Sequence, residues 1–485
     1  MRRDRRHPAG PGVAAHWLPT LLVLALLAGA AAAYRFDVGP RFLGWYGDDV
    51  TQDPAAVAPP AGLEFPARTD PPVIAAPAQS ASRVRTDAVE AALAEGLADQ
   101  TLGKHVVAAV GDLSGDGPVW THDDDQFLPA STTKVLTSAA ALAALGPETT
   151  FTTRAVAGRT PREVVLVGGG DPYLGSKPLT PEEASNTYPE RADVVTLARD
   201  TARALTGRKK VRVVFDDTLF TEPTDNPQWR ADYVPDDIVT PITALWVDRG
   251  ASPSGYGRSD DPSFTAAATF ASALEQAGVT VVGDPTRGVA APAAATLASV
   301  QSAPVAEIVE HLLDVSDNET AEVLAHHVGL AVNGDGSFIG GAAGVLSTLQ
   351  SLGIETGTDV VFDGSGLSRH NRLSPATMVQ VLQVAARADQ PGLRPLITGL
   401  PVAGFTGSLA DRFASTDEAA LGDVRAKTGT LSGVSSLAGL VTGRDGTQMV
   451  FVLAVDKTGT ARESDVEAAL DGLAADLAAC RCGGG

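Results

Sequence analysis

FLPASTTKVLTSAAALAALG, residues 127–146, sets a serine directly after Pro129 and Ala130, and a lysine three residues further on, where an Ala/Leu-rich helical pattern begins. Pro129 and Ala130 deliver the chain to a helix start, so the spacing predicts a helix opening at Ser131. Lys134 then lies on the same face, about 5 to 6 Å away at Cβ. A serine hydroxyl is a weak nucleophile until a base takes its proton, and a desolvated lysine near another cation can be neutral enough to do so. First-turn N–H groups lack an intrahelical partner and can face a substrate oxyanion. Taken alone, the four residues also fit a plain helix cap with an exposed lysine, so their meaning depends on the rest of the chain.

Two further short motifs supply that context. Ser316-Asp317-Asn318 closes the helical pattern VAEIVEHLLDV, residues 305–315. A second hydroxyl there, Ser316, can relay a proton to a leaving amine, and the Asn318 amide can hold a substrate carbonyl. Lys427-Thr428-Gly429-Thr430 lies in VRAKTGTLSGVSSLAGLV, whose apolar positions suggest an edge-type strand. Gly429 would let a ligand backbone approach closely, while Lys427 and Thr428 grip a carboxylate. The backbone N–H of Thr430 could then join that of Ser131 in an oxyanion hole. Each motif by itself also fits a capping or turn sequence.

Together, in this order, S-x-x-K, S-D-N and K-T-G are the motif set of penicillin-binding proteins and class A β-lactamases. The long gap from Ser131 to Ser316 exceeds what a compact β-lactamase requires. GGGDPYL (168–174), FDDTLF (215–220), DGSGLSRHNRLSP (363–375) and LPVAGFTGSLADRF (400–413) add to the likeness. From about residue 90 to 460 the chain resembles the class C low-molecular-mass penicillin-binding proteins, the D-alanyl-D-alanine carboxypeptidase/endopeptidase family. The resemblance implies an α/β (α+β) fold: a transpeptidase-like domain of helices around an antiparallel sheet, interrupted by an inserted β-rich domain. It further implies Ser131 as the acylated nucleophile, Lys134 as its base and Ser316 as the proton shuttle. Asn318 would bind the substrate amide, and Lys427 with Thr428 the terminal carboxylate, beside Gly429 and Thr430. The substrate implied is the D-Ala-D-Ala end of peptidoglycan stem peptides, with β-lactams as covalent inhibitors. The alternatives are a β-lactamase or esterase using the same motif, or a non-catalytic wall-binding protein.

Composition is consistent with such a role. The 485 residues are 44% hydrophobic and 20% charged, enough for two folded units and a large core. A net charge of −21 excludes nucleic acid as the main partner, because like charge repels it. No cofactor or metal is expected, since H-E-x-x-H is absent, and His311, His326, His327 and His370 read as ordinary helix or loop residues. Asp363, Arg369 and Arg372 read as structural props, and GGGD as a tight turn.

The N-terminus is basic through residue 16 and apolar from Trp17 to Tyr34, the order of a signal peptide or membrane anchor. Both place the folded part outside the cytoplasmic membrane, and an uncleaved segment would hold it there. Residues 35–82 are proline-rich and read as a linker. The peptidase domain is expected in two segments, 83–150 and 298–479, around an insert at 151–297. Residues 480–485 would form a flexible tail, with Cys480 and Cys482 a structurally idle pair.

Overall fold

Gln448–Val455, QMVFVLAV, is apolar at every position after the first, a pattern that requires cover on both faces. In the computed structural model, which describes residues 83–484 apart from 208, 209 and 415, this segment is strand β11 inside an antiparallel sheet. The sheet runs β2-β1-β11-β10-β9, with β1 at Val106–Asp112, β2 at Trp120–Thr121, β9 at Val424–Leu431 and β10 at Val434–Thr442. Alternation then splits the side chains between two cores. Ala108, Val110, Leu437, Phe451 and Leu453 pack against α1 (Thr86–Leu97) and α11 (Glu463–Ala479). Val107, Ala109, Ala438, Val450 and Val452 face the other way, toward α2 (Thr133–Leu145), α6 (Val305–Val315), α7 (Asn318–Asn333), α8 (Phe338–Ser351) and α9 (Pro375–Ala386). Each fully buried Leu or Phe contributes about 1.5 to 3 kcal/mol to this arrangement.

A second sheet is built from residues 152–301 in the order β6-β5-β4-β3-β8, with β7 also on β5. Its strands are β3 (Thr152–Ala157), β4 (Glu163–Val167), β5 (Lys210–Asp216), β6 (Thr280–Val281), β7 (Thr286–Arg287) and β8 (Thr296–Gln301). Strands β4, β5 and β6 are parallel, so each connection must cross over. The short α3 (Pro181–Ser185) and α4 (Val194–Ala204) lie in the first crossover, and α5 (Pro262–Gln276) in the second. Helix α4 buries Val194, Leu197, Ala198 and Thr201, the i, i+3, i+4, i+7 stripe of a helix on a sheet. The region expected to be β-rich is thus mixed α/β, and its last strand runs past residue 297.

The two sheets meet through Phe220, Val239, Ile242 and Trp246, which pack with Val323, Phe338 and Leu367 of the helical side. His327 stacks on Phe151 with ring centroids 3.8 Å apart, and its Nε2–H donates to the Gly170 carbonyl at 3.0 Å.

The chain end corrects an expectation. Cys480 and Cys482 form a disulfide, and Cys482 is buried in the apolar layer beneath α1 and α11. The Arg85 N–H donates to the Cys482 carbonyl, and Gly484 N–H to the Arg83 carbonyl, both at 2.8 Å. Residues 480–484 are therefore paired to the start of the folded chain instead of hanging free. The basic N-terminus, the apolar segment 17–34 and the linker 35–82 lie outside the described residues. Among the described residues no helix is long and apolar enough to cross a membrane.

Candidate active site

The chain enters the site through backbone strain. Ala130 has φ +48°, a left-handed conformation that costs an L-residue about 1 to 2 kcal/mol. Its carbonyl presses against Gly366, where a Cβ would lie only 1.8 Å from it. Ala130–Thr132 is a single 3-10 turn, and α2 starts at Thr133, two residues later than the spacing predicts. The tighter turn still brings Lys134 back over Ser131. The Lys134 Nζ donates to Ser131 Oγ at 2.9 Å, to Asn318 Oδ1 at 2.8 Å and to the Ser365 carbonyl at 2.8 Å. All three ammonium donors are used. Burial pushes the Lys134 pKa down to about 8, against the pull of Glu322, Asp363, Asp317 and Glu319. Of the two causes the sequence suggested, desolvation and a neighbouring cation, desolvation is the one that acts here.

Asn318 reaches the same point from α7. Helix α6 stops at Val315 because Ser316 turns left-handed, with φ 60° and ψ 42°. Asp317 then caps α7, accepting from the Thr320 N–H at 3.1 Å and from Arg249 Nη1 at 2.9 Å. Burial works to raise the Asp317 pKa, but Arg249 and the cap bonds outweigh it and leave it lowered. With its backbone held on both sides, Asn318 gives Oδ1 to Lys134 and donates Nδ2–H to the Ile238 carbonyl at 3.2 Å. The Ser316 hydroxyl, two residues earlier, has no hydrogen-bond partner among the described residues.

Strand β9 forms the third wall and is the sheet's edge, as the sequence suggested. A Cβ on Gly429 would meet Ser436 Oγ at 2.3 Å, the Pro129 carbonyl at 2.6 Å and the Thr132 nitrogen at 3.0 Å. The close approach that this glycine permits is thus to the Ser131 turn itself, rather than to a ligand. Lys427 has no exposed surface; its Nζ donates to the Thr428 carbonyl at 3.0 Å. Burial and repulsion from Lys134 push its pKa well below the ordinary lysine range, and Asp314 opposes them. Its side chain lies on the same face as Gly429, toward the Ser131 turn and Lys134, opposite Ala438 of β10, and Thr428 is the half-exposed member of the pair. The Thr428 hydroxyl shares a 2.9 Å hydrogen bond with Ser408 Oγ, and Thr430 Oγ1 donates to Glu467 Oε1 at 3.0 Å. Ala426 N–H bonds outward to the Pro401 carbonyl, so by the period of two the N–H groups of Thr428 and Thr430 also point to the outer edge.

Several participants carry no local sequence signal. Glu322 is fully buried on α7, accepts from the amides of Gly364 and Ser365 at 3.0 and 2.7 Å, and so sets the carbonyl that Lys134 uses. Burial and the neighbouring Asp363 raise its pKa to about 8. Asp363 accepts from the Gly366 and Ser368 amides, Asn371 Nδ2 and Trp229 Nε1, which makes it the centre of the 363–371 loop. Arg369 donates to the Ser432 carbonyl, and Arg372 to the carbonyls of Arg369 and Asn371. One cue was available in DGSGLSRHNRLSP: an acid beside glycines and short polar residues is the composition of a loop built around a carboxylate.

The model of the D-Ala-D-Ala carboxypeptidase 3 (S13) family matches residues 89–256 and 252–477. A carboxypeptidase of Mycobacterium tuberculosis is 36% identical over 437 residues, covering 87% of this chain and 91% of the relative. The D-alanyl-D-alanine carboxypeptidase of an Actinomadura species is 32% identical over 413 residues, covering 70% and 75%. Among solved structures, penicillin binding protein 4 from Haemophilus influenzae superposes with a TM-score of 0.65 at 22% identity, over 80% of this chain and 98% of that one. The same protein complexed with a β-lactam gives a TM-score of 0.58 at 22% identity, over 79% and 98%.

Proposed function

The chain belongs to the D-Ala-D-Ala carboxypeptidase 3 (S13) family, and on that premise we propose how its residues act as a serine-type D-alanyl-D-alanine carboxypeptidase. One observation carries the assignment of roles: a single buried amine, Lys134 Nζ, touches Ser131 Oγ, Asn318 Oδ1 and the Ser365 carbonyl at once. Ser131 Oγ attacks the carbonyl carbon of the penultimate D-alanine while its proton passes to neutral Lys134. The oxyanion is held by the N–H groups of Ser131 and Thr430. The C–N bond then breaks: Ser316 passes its hydroxyl proton to the leaving amine and takes in its place the proton that Lys134 received from Ser131, so D-alanine departs and Lys134 is neutral again. Water, deprotonated by Lys134, cleaves the ester and restores the Ser131 hydroxyl. Asn318 holds the substrate amide. Thr428, with Ser408 beside it and Lys427 next to it on the face toward Lys134, holds the terminal carboxylate. A carboxylate arriving there favours the charged form of Lys427, so binding couples to proton uptake.

Stem peptides of peptidoglycan lie outside the cytoplasmic membrane, so the enzyme acts in the cell envelope. The basic-then-apolar order of residues 1–34 supports a membrane tether, and the proline-rich stretch after it a spacer. We also assign residues 151–297 to an inserted domain, a division supported by the second sheet. The decisive test uses the full-length protein in detergent. It should take up fluorescent penicillin at Ser131 and release D-alanine from a diacetyl-L-Lys-D-Ala-D-Ala peptide, and Ser131→Ala should abolish both. Labelling that persists in Ser131→Ala would remove the nucleophile assignment.

A further inference from the structure

Away from the catalytic residues, the ends of three strands bring metal-binding side chains to one point. The register of β1 with β11 sets Val106 opposite Val455, and one residue further on His105 meets Asp456, with Nδ1 and Oδ1 2.6 Å apart. On the other side of β1, Ala109 faces Thr121 and Val110 faces Trp120, a register that leads Asp125 back toward the row of His105. One donor atom from each of His105, Asp123 and Asp125 lies within 4.8 Å of the other two. Asp456 occupies Nδ1, so Nε2 is the ring nitrogen left for an ion, and only 11% of the His105 side chain is exposed. Among the described residues no lysine, arginine or histidine pairs with either aspartate, and their carboxylates accept only the Asp125 N–H, at Asp123 Oδ1 and 2.9 Å. No short motif carries this grouping; its donors meet only through the pairing of strand ends.

We propose that His105, Asp123 and Asp125 hold one divalent transition-metal ion, Zn2+ being the ion their donor set suits, at a site separate from the catalytic centre. Two carboxylates this close repel each other with no cation between them, and a divalent ion relieves that repulsion. Imidazole sets the choice of metal: it suits Zn2+, whereas an all-oxygen set suits Mg2+ or Ca2+. A carboxylate on the second ring nitrogen, here Asp456, is the common outer partner of a zinc-bound histidine, because it fixes the ring and raises its basicity. One nitrogen and two oxygens leave the fourth position to water. Metal–ligand lengths of about 2.0 to 2.2 Å put two ligands of one ion at most about 4.4 Å apart, so a small rotation of the exposed Asp125 side chain closes the site. The ion would tie the ends of β1 and β11 to the stretch that leads to the nucleophile. Asp456 Oδ2 accepts from the Leu128 N–H at 3.1 Å, and Phe127 pairs with Leu373, just before the Ser131 turn. Its contribution is to the stability of that approach, and the proton transfers at Ser131 do not pass through it.

The probe is Zn2+ alone, offered to the untagged full-length protein in detergent, with millimolar Mg2+ present to fill weak all-oxygen sites. Equilibrium dialysis should give one Zn2+ per chain for wild type, and Zn2+ should raise the Tm, since an ion bound only by the folded chain stabilises it. His105→Gln and the double variant Asp123→Asn/Asp125→Asn should each bind more than about 100-fold more weakly and lose the rise in Tm. Asp456→Asn keeps all three ligands and loses only the charge that orients the ring, so it should bind about 10- to 100-fold more weakly. Uptake of fluorescent penicillin at Ser131 shows which variants are folded. Asp125 is exposed, so Asp125→Asn leaves the core untouched and by itself should weaken Zn2+ about tenfold or more. A wild-type protein that takes up no Zn2+ would overturn the site. So would Zn2+ binding undiminished in Asp125→Asn, or binding that Mg2+ displaces at equal concentration, which would leave an acidic surface only.

Discussion

The Glu322 carboxyl, buried and bonded to the amides of Gly364 and Ser365, pulls the Lys134 amine upward against the burial that lowers it to about 8. Neutral Lys134 is the form that can accept the Ser131 proton, so acylation should weaken as pH falls through about 8. Glu322→Gln removes the upward pull; the amine should then lose its proton at lower pH, and the acid limb of kcat/KM should shift downward. A limb that stays fixed or moves up would show that Glu322 does not tune the base. Ser131 and Lys134 were legible because three residues of chain set their distance. Glu322 was not: it acts on Lys134 through space and through the loop carbonyl it organises, and α7 presents it with the spacing of an ordinary helix residue.

Strand β9 and the turn before α2 are held together by the missing side chain of Gly429. Gly429→Ala would drive a methyl into Ser436 Oγ and the Pro129 carbonyl, the latter being backbone that cannot rotate away. Overpacking of this kind costs about 1 to 3 kcal/mol. Because the displaced element carries Ser131, β-lactam acylation should also slow by more than about tenfold; stopped-flow labelling alongside urea unfolding measures both. The bend between α6 and α7 offers the complementary case. Ser316 sits at φ 60°, which glycine adopts without strain, so Ser316→Gly should keep or raise the Tm while turnover falls by about 100-fold. Unimpaired D-alanine release in that variant would leave Ser316 as a capping residue only. The edge position of β9 could be read from its apolar pattern; that Gly429 faces the Ser131 turn could not, because that depends on register with an element some 300 residues earlier.

Across the whole molecule, the joint between the second sheet and the helical layer contains two buried histidines. Burial lowers His326 and His327 to about 4, and each donates its one ring N–H to a carbonyl, of Glu322 and Gly170 respectively. An unfolded histidine takes up its proton near pH 6.5, so their contribution is complete above that value and is lost as pH falls toward 4. The loss should reach on the order of 2 to 3 kcal/mol per histidine. Urea unfolding at pH 7 and pH 5 should therefore show a smaller drop for His327→Gln than for wild type; equal drops would refute the role of His327. Both residues read as ordinary helix histidines in the sequence, and their burial followed only from the packing of Phe151 and Phe220 against α7.

Local order along the chain was enough to determine the three motifs, the helix after Ser131 and the edge strand, on which the family resemblance was recognised. These rest on short-range periodicity and on spacings of a few residues, which the sequence states directly. Tertiary structure alone decided that Lys134 is bonded on three sides, that Lys427 is wholly buried, that Pro401–Ala403 closes part of the β9 edge, and that residues 480–484 are held. Each of these depends on which distant backbone groups meet across the fold. Burial and hydrogen bonding between segments hundreds of residues apart are properties of the packed chain, and no local stretch encodes them.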